Sequence, residues 1–192
     1  MTQTARRFHG LLLASASLAA CSGTPIVERL DERAGMTLTS AREPLVFART
    51  DPRYSRSARD YLYVGPFETN RQGAREYHLW VGVATTLDRG FVATPEELPQ
   101  TLYVTVDGEP IELELKPLDE VVRLTIEAPI YATAVRLKAA VAARVTLQQL
   151  QLLAAAAIDE VTVATPGERS LRTYLLWTGG EALPEFLAAV ER

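Results

Sequence analysis

The chain has 192 residues, of which 47% are hydrophobic and 23% are charged, and its formal net charge is −4 at pH 7. This length suits one compact domain, which buries enough apolar surface to fold without disulfide or metal staples. A single cysteine excludes an internal disulfide, and the acidic balance argues against general binding of nucleic acid.

Residues 1–20 have the pattern of an export signal. Arg6 and Arg7 give a positive start, and an apolar stretch follows over residues 11–20. That stretch supplies about half of the ~20 apolar residues that a membrane-spanning helix needs, so we predict a cleaved signal peptide rather than a permanent span.

The residues Leu18-Ala19-Ala20-Cys21 at the end of this segment resemble the lipobox of bacterial lipoproteins. The resemblance covers only the leader and Cys21. It implies that Cys21 becomes the first mature residue and carries acyl chains such as palmitate, which anchor a protein stably when two or more are present. Ser22 stands where inner-membrane retention signals of Gram-negative lipoproteins place Asp, which implies a periplasm-facing protein of the outer membrane. The alternative is an ordinary signal peptide followed by a chance cysteine.

The next segment, residues 21–35, is polar and contains Gly23, Pro25 and Gly35. We predict a tether there, followed by a single globular β-rich domain over residues 36–192. A short apolar run at 45–47 opens this domain. Alternating apolar residues then predict strands at 60–67 and 76–86, joined by a turn at 70–73.

A second hairpin is predicted around Asp107-Gly108. Apolar residues alternate over 102–106 and again over 111–115, and an Asp-Gly pair between two such runs is a strong signal for a two-residue turn, because both turn residues need positive φ. A further half-buried strand is predicted at 122–126, from the alternation of Val122, Leu124 and Ile126.

Residues 131–158 allow two interpretations. Alternation at 135–141 favours a strand, whereas Thr146-Leu147-Gln148-Gln149 fits a capping box that starts a helix. We predict a strand at 133–144 and a helix at 147–157, and the alternative is one long helix. Strands at 161–163 and 171–177 and a final helix ending near residue 190 complete an α+β fold, mainly an antiparallel β-sandwich or curled sheet with two C-terminal helices.

Few residues beyond the leader carry chemistry typical of enzymes. His78 is the only histidine there, and no serine-hydrolase elbow, zinc motif or phosphate-binding loop is present. We therefore predict no metal, no cofactor and no catalytic residues. The alternative is a periplasmic glycan or peptidoglycan hydrolase that uses carboxylates such as Glu112 and Glu114, which share one strand face.

Aromatic and arginine residues are the better lead to a binding function. If the Leu and Val faces of the strands build the core, several of the aromatic rings are left near the surface, where rings beside arginines can stack on sugars or clamp a peptide. The candidate binding residues are Arg59, Tyr61, Tyr63, Phe67, Arg75 and Trp80. The alternative is that the rings form a second core layer beneath the helices.

The distribution of charge is also uneven. Seven arginines lie between residues 42 and 75, and seven acidic residues lie between 107 and 127. The simplest prediction is that the two regions are neighbouring strands whose charges pair, and the alternative is a basic patch for an acidic ligand. Together these observations predict a lipid-anchored, non-enzymatic accessory or binding module of the cell envelope, which contacts the membrane and an envelope protein or polymer.

Overall fold

The computed structural model describes residues 24–50, 58–86, 98–125, 128–156, 160–167 and 170–192. Its strands are β1 (Ile26–Asp31), β2 (Met36–Ala41), β3 (Leu45–Thr50), β4 (Arg59–Arg71), β5 (Ala74–Thr85), β6 (Thr101–Val106), β7 (Glu109–Glu114), β8 (Lys116–Pro117), β9 (Leu137–Val145), β10 (Thr162–Thr165) and β11 (Arg172–Thr178). The helices are α1 (Leu118–Val121), α2 (Leu147–Ala155) and α3 (Ala182–Val190).

All of these strands belong to one antiparallel sheet. Its order is β7-β6-β10-β11-β3-β4-β5-β9-β8; off this path, β2 pairs with β4 and β1 pairs with β2. Strand β4 is 13 residues long, so its first half pairs with β3 and its second half pairs with β2 along the same edge. The long β4–β5 hairpin is therefore the centre around which the other strands assemble.

The sheet curls until its two ends almost meet. Strand β8 follows β7 directly in the chain and pairs with β9 at the other end of the strand order. Helix α3 packs on β2 and β4, and α2 packs on α3. The predicted mainly antiparallel β fold is therefore confirmed, and its strands form a nearly closed, barrel-like sheet, with α2 and α3 in the C-terminal part of the chain.

Both predicted hairpin turns are present. Gln72 and Gly73 connect β4 to β5 with φ of 52° and 91°, and Asp107 and Gly108 connect β6 to β7 with φ of 51° and 82°. Two consecutive positive φ values match the right-handed twist of the flanking strands, which is why such turns dominate two-residue hairpins.

The split of residues 131–158 into a strand and a helix is also confirmed. Thr146 Oγ1 accepts a hydrogen bond from the Gln149 amide at 3.1 Å, and Gln149 Oε1 accepts one from the Thr146 amide at 2.8 Å. This reciprocal cap satisfies two backbone donors that would otherwise be unpaired, so the helix starts there and a single long helix is excluded.

Two predicted segments differ in the structure. Residues Ile26–Asp31 fall inside the predicted tether, yet they pair along their whole length with β2. The strand predicted at 122–126 is wrong for its described residues, because 118–121 form α1 and 122–125 have no regular structure. The two segments are in contact, because the carboxylate of Asp31, at the end of β1, accepts hydrogen bonds from the Thr125 amide and hydroxyl.

The curled sheet has buried residues on both of its faces. The inner face carries apolar side chains of β3, β4, β5 and β9, such as Phe47, Leu62 and Val81. The outer face of β4 and β5 is crossed by residues 128–136, named here the covering segment, which places Tyr131 beside Trp80 and Gly65. Strand β4 is therefore buried without interruption from residue 62 to 69.

Candidate binding surface

Three of the candidate binding residues lie in the interior. Tyr63, Phe67 and Trp80 are at most 5% exposed, and the Trp80 ring centroid is 5.2 Å from that of Tyr131 in the covering segment. These rings form a second layer of the core, as the alternative interpretation of the sequence predicts. However, Trp80 is covered by the covering segment and not by the helices. None of the three presents a surface to a ligand.

His78 is also buried. Its ring stacks on Phe67 with a centroid distance of 4.7 Å, and its Nε2 is 3.4 Å from Thr69 Oγ1. Burial lowers the pKa of His78 to about 4. This histidine is therefore a neutral core residue, and it does not share a cleft with Glu112 and Glu114.

Arg75 forms a structural contact. Its guanidinium donates to Glu68 Oε2 at 2.6 Å and to the carbonyl oxygen of Val190, near the end of α3. The Glu68 hydrogen bond raises the pKa of Arg75 further. A cation at the C-terminus of a helix satisfies free carbonyls and opposes the helix dipole, so Arg75 fixes α3 to the β4–β5 hairpin.

Replacing Arg75 with alanine is expected to lower the free energy of unfolding by about 1–2 kcal/mol, because Glu68 is buried and would lose its partner. Urea denaturation measures the change. Arg144→Ala is the matched control, since the Arg144–Glu76 pair spans 2.9 Å but is exposed, and its removal should cost at most about 0.5 kcal/mol. Equal effects of the two substitutions would contradict the structural role of Arg75.

The arginine-rich and acidic regions are not neighbours in the sheet. Strands β10 and β11 lie between β6 and β3, so the predicted pairing of the two regions is wrong. Arginines of the first region pair within it instead, as Arg49 does with Asp60 at 3.0 Å. The hairpin of β10 and β11 comes from the end of the chain, which is why local charge patterns do not reveal its insertion.

The two remaining candidates, Arg59 and Tyr61, are half-buried on the outer face of the sheet, beside two exposed apolar side chains. The guanidinium carbon of Arg59 is 4.3 Å from the ring centroid of Trp177. Trp177 is 59% exposed and its strand neighbour Leu175 is 63% exposed. We name this surface, formed by Arg59, Tyr61, Leu175 and Trp177, the Trp177 patch.

The register of three strands explains why these side chains meet. Ala48 of β3 is the partner of both Tyr61 and Leu175, so its small side chain lies between the two larger ones. The pairing of β11 with β3 is irregular between Leu176 and Thr178, and bulges of this kind re-aim the side chain at the irregular position. That position is Trp177, whose ring reaches Arg59.

Sequence reasoning identified half of this patch. Leu175 and Trp177 alternate with Tyr174 and Leu176 along a predicted strand. Because both rows are apolar, period-two alternation cannot show which row faces the core. Only the pairing of β11 with β3 in the folded protein determines that Leu175 and Trp177 are the exposed residues.

The acidic strands border a cleft of about 420 Å³ where the two ends of the sheet approach each other. It is lined by Glu112, Leu113, Glu114, Lys116, Glu120, Val121, Ala142, Arg144 and Gln149. Glu112 and Glu114 are exposed, and a salt bridge of 3.2 Å joins Glu114 to Lys116. Within the described part of the chain, no group of three or more His, Cys, Asp or Glu residues is arranged to hold a metal ion.

Cys21 and the leader lie outside the described residues. Among the helices of the described ranges, none is long and apolar enough to cross a membrane. Comparison of the chain with protein-family models, with curated proteins and with solved structures finds no match. The fold and its surface define a curled antiparallel β protein with an exposed patch of aromatic, aliphatic and arginine side chains.

Proposed function

We propose that the protein is a lipid-anchored, non-enzymatic binding module of the bacterial envelope, which holds a protein partner on the Trp177 patch. The observation that carries the proposal is the exposure of Trp177 and Leu175 beside Arg59. The lipobox of the sequence, Leu18 to Cys21, supports the anchor and a periplasm-facing position at the outer membrane.

The chemistry of the patch favours a protein over a polysaccharide. Trp, Tyr and Arg are the residues most enriched at the energetic centres of protein interfaces. A cation–π contact at an exposed site contributes about 0.5–1 kcal/mol, so Arg59 also restricts the Trp177 ring before any partner binds. The aliphatic side chain of Leu175 adds apolar surface for another protein to bury.

A carboxylate-dependent hydrolase is the second proposal, supported only by the position of Glu112 and Glu114 in the acidic cleft. The buried position of His78 removes one group that could have assisted them. Loss of glycan or peptidoglycan cleavage in a Glu112→Gln, Glu114→Gln double variant would favour this second function.

Capture of partners with the full-length, membrane-extracted protein tests the first proposal. We expect Trp177→Ala to lower recovery of a specific envelope protein at least tenfold, because truncating a central interface tryptophan costs about 2 kcal/mol or more. Quantitative mass spectrometry measures the recovery. We also expect Cys21→Ala to abolish lipid incorporation and membrane retention.

Leu30→Ala is the matched control for Trp177→Ala, since Leu30 is 63% exposed on β1, away from the patch. Recovery should be unchanged with this variant. Equal recovery of the partner with wild type and Trp177→Ala would contradict the proposal that the Trp177 patch is the binding surface. Continued lipid labelling of Cys21→Ala would contradict the proposed anchor.

A further inference from the structure

A second cleft opens at the end of the curled sheet opposite the β4–β5 turn. It has a volume of about 480 Å³, within the ~300–1,000 Å³ of typical small-molecule sites. Its lining includes Leu62, Val83, Gln100, Thr165, Arg172 and Tyr174, and we name it the Arg172 cleft. It belongs to the inner face of the sheet, whereas the Trp177 patch belongs to the outer face, so the two are independent sites.

The polar residues beside this cleft largely satisfy one another. Thr85 Oγ1 donates to Asp60 Oδ1 at 2.9 Å, and Arg49 donates to Asp60 Oδ2 at 3.0 Å. The Arg49 guanidinium carbon is 5.7 Å from the Tyr174 ring centroid, and the Tyr174 hydroxyl hydrogen-bonds with Thr165. The charges of Arg49 and Asp60 cancel within this network.

Arg172 differs from its neighbours. It is half-buried, and no hydrogen bond or ion pair joins it to any residue of the described ranges. Its stem packs against Gly167, where an added Cβ would lie 3.0 Å from Arg172 Cγ. The contact of its stem with Gly167 restricts where the guanidinium can lie, and the planar fork of an arginine matches a carboxylate through two parallel hydrogen bonds.

We infer that the Arg172 cleft binds a small amphipathic carboxylate, with its acid group on Arg172 and its apolar body over Leu62 and Val83. Among the described lining residues Arg172 is the one charged side chain, and a single cation matches a monoanion better than a phosphate dianion. Leu62 is buried and Val83 is half-buried on the inner face, so they form an apolar floor beside the charge. The hydroxyls of Tyr174 and Thr165 lie in the same lining, where they can orient the acid group.

The test uses 4-(trifluoromethyl)benzoate as the probe and its neutral amide as the control ligand. Fluorine NMR titration of the full-length protein in nanodiscs, with empty nanodiscs subtracted, measures both dissociation constants. We expect wild type to prefer the acid at least tenfold over the amide. Arg172→Gln should weaken acid binding at least tenfold and leave amide binding unchanged.

Two further variants keep the result interpretable. Arg71→Gln removes an exposed arginine at the opposite end of β4 and should leave both dissociation constants unchanged. Arg172→Lys keeps the charge without the fork and should give an intermediate loss, which covers the case in which Arg172→Gln fails to fold. Three results would overturn the inference: equal dissociation constants for acid and amide in wild type, acid binding by Arg172→Gln or Arg172→Lys that is as tight as in wild type, or no acid binding by wild type up to about 10 mM.

Discussion

Replacing Tyr131 with alanine is expected to lower the free energy of unfolding by about 3–5 kcal/mol, the usual cost of truncating a buried aromatic side chain. Tyr131 is 1% exposed, packs beside Trp80, and donates its hydroxyl to the carbonyl oxygen of Pro66. Its loss would leave a cavity between the sheet and the covering segment. Chemical denaturation measures the change, and Tyr131→Phe, which removes only the hydrogen bond, should cost about 1 kcal/mol.

Gly65 provides a specific test of the same contact. A Cβ at this position would lie 2.3 Å from the Tyr131 ring, so Gly65→Ala should destabilise wild type by about 1–3 kcal/mol through overpacking. In the Tyr131→Ala background the added methyl has space, and the same substitution should be neutral or stabilising. If Gly65→Ala costs the same in both backgrounds, the close packing of Tyr131 on β4 is contradicted.

The second large effect is a pH dependence that originates at His78. Burial lowers the pKa of this histidine from 6.5 to about 4; the nearby Glu76 carboxylate opposes the shift and Arg144 adds to it. Between pH 6.5 and 4 the unfolded chain therefore binds a proton at this position that the folded chain does not. The free energy of unfolding should fall as pH falls through this window, by about 3 kcal/mol in total at its lower end.

The comparison that isolates this contribution is His78→Phe, whose ring can retain the stacking on Phe67. Carboxylates also titrate near pH 4, so the informative quantity is the difference in unfolding free energy between the two proteins at each pH. That difference should shift in favour of His78→Phe as the pH is lowered from 7 to 4. Parallel pH profiles for the two proteins would rule out a buried neutral histidine.

The two hairpin turns and the start of α2 could be predicted from the sequence because each depends on neighbouring residues. Asp107-Gly108 specifies a turn through its own backbone preferences, and Thr146 and Gln149 cap a helix through contacts three residues apart. The conformations of a two-residue turn and of a helix cap are set mainly by the residues that form them. The strand predicted at 122–126 is absent from its described residues, 122–125, where the Thr125 amide hydrogen-bonds instead to Asp31 of β1, 94 positions earlier in the chain.

The candidate binding site was predictable only in part, for a related reason. One face of the β4–β5 hairpin carries Tyr63, Phe67 and Trp80, as period-two alternation predicts. Nothing in the sequence near these residues indicates that the covering segment buries that face. The hydrogen bond that joins this segment to β4 connects residues 65 positions apart. The rings best placed by sequence to bind a ligand are therefore core residues, whereas Trp177 is exposed.

The sequence by itself determined the two hairpin turns, the helix cap and the alternation of most strands, since all of these are patterns of adjacent residues; the resemblance of residues 18–21 to a lipobox, from which the anchor is proposed, is a pattern of the same kind. Only the tertiary structure decided which apolar face became core, that β10 and β11 separate the arginine-rich strands from the acidic ones, and that Trp177 meets Arg59. The physical reason is that these outcomes depend on strand order and on long-range burial of apolar surface. Period-two alternation specifies two faces of a strand but does not specify what will cover either one.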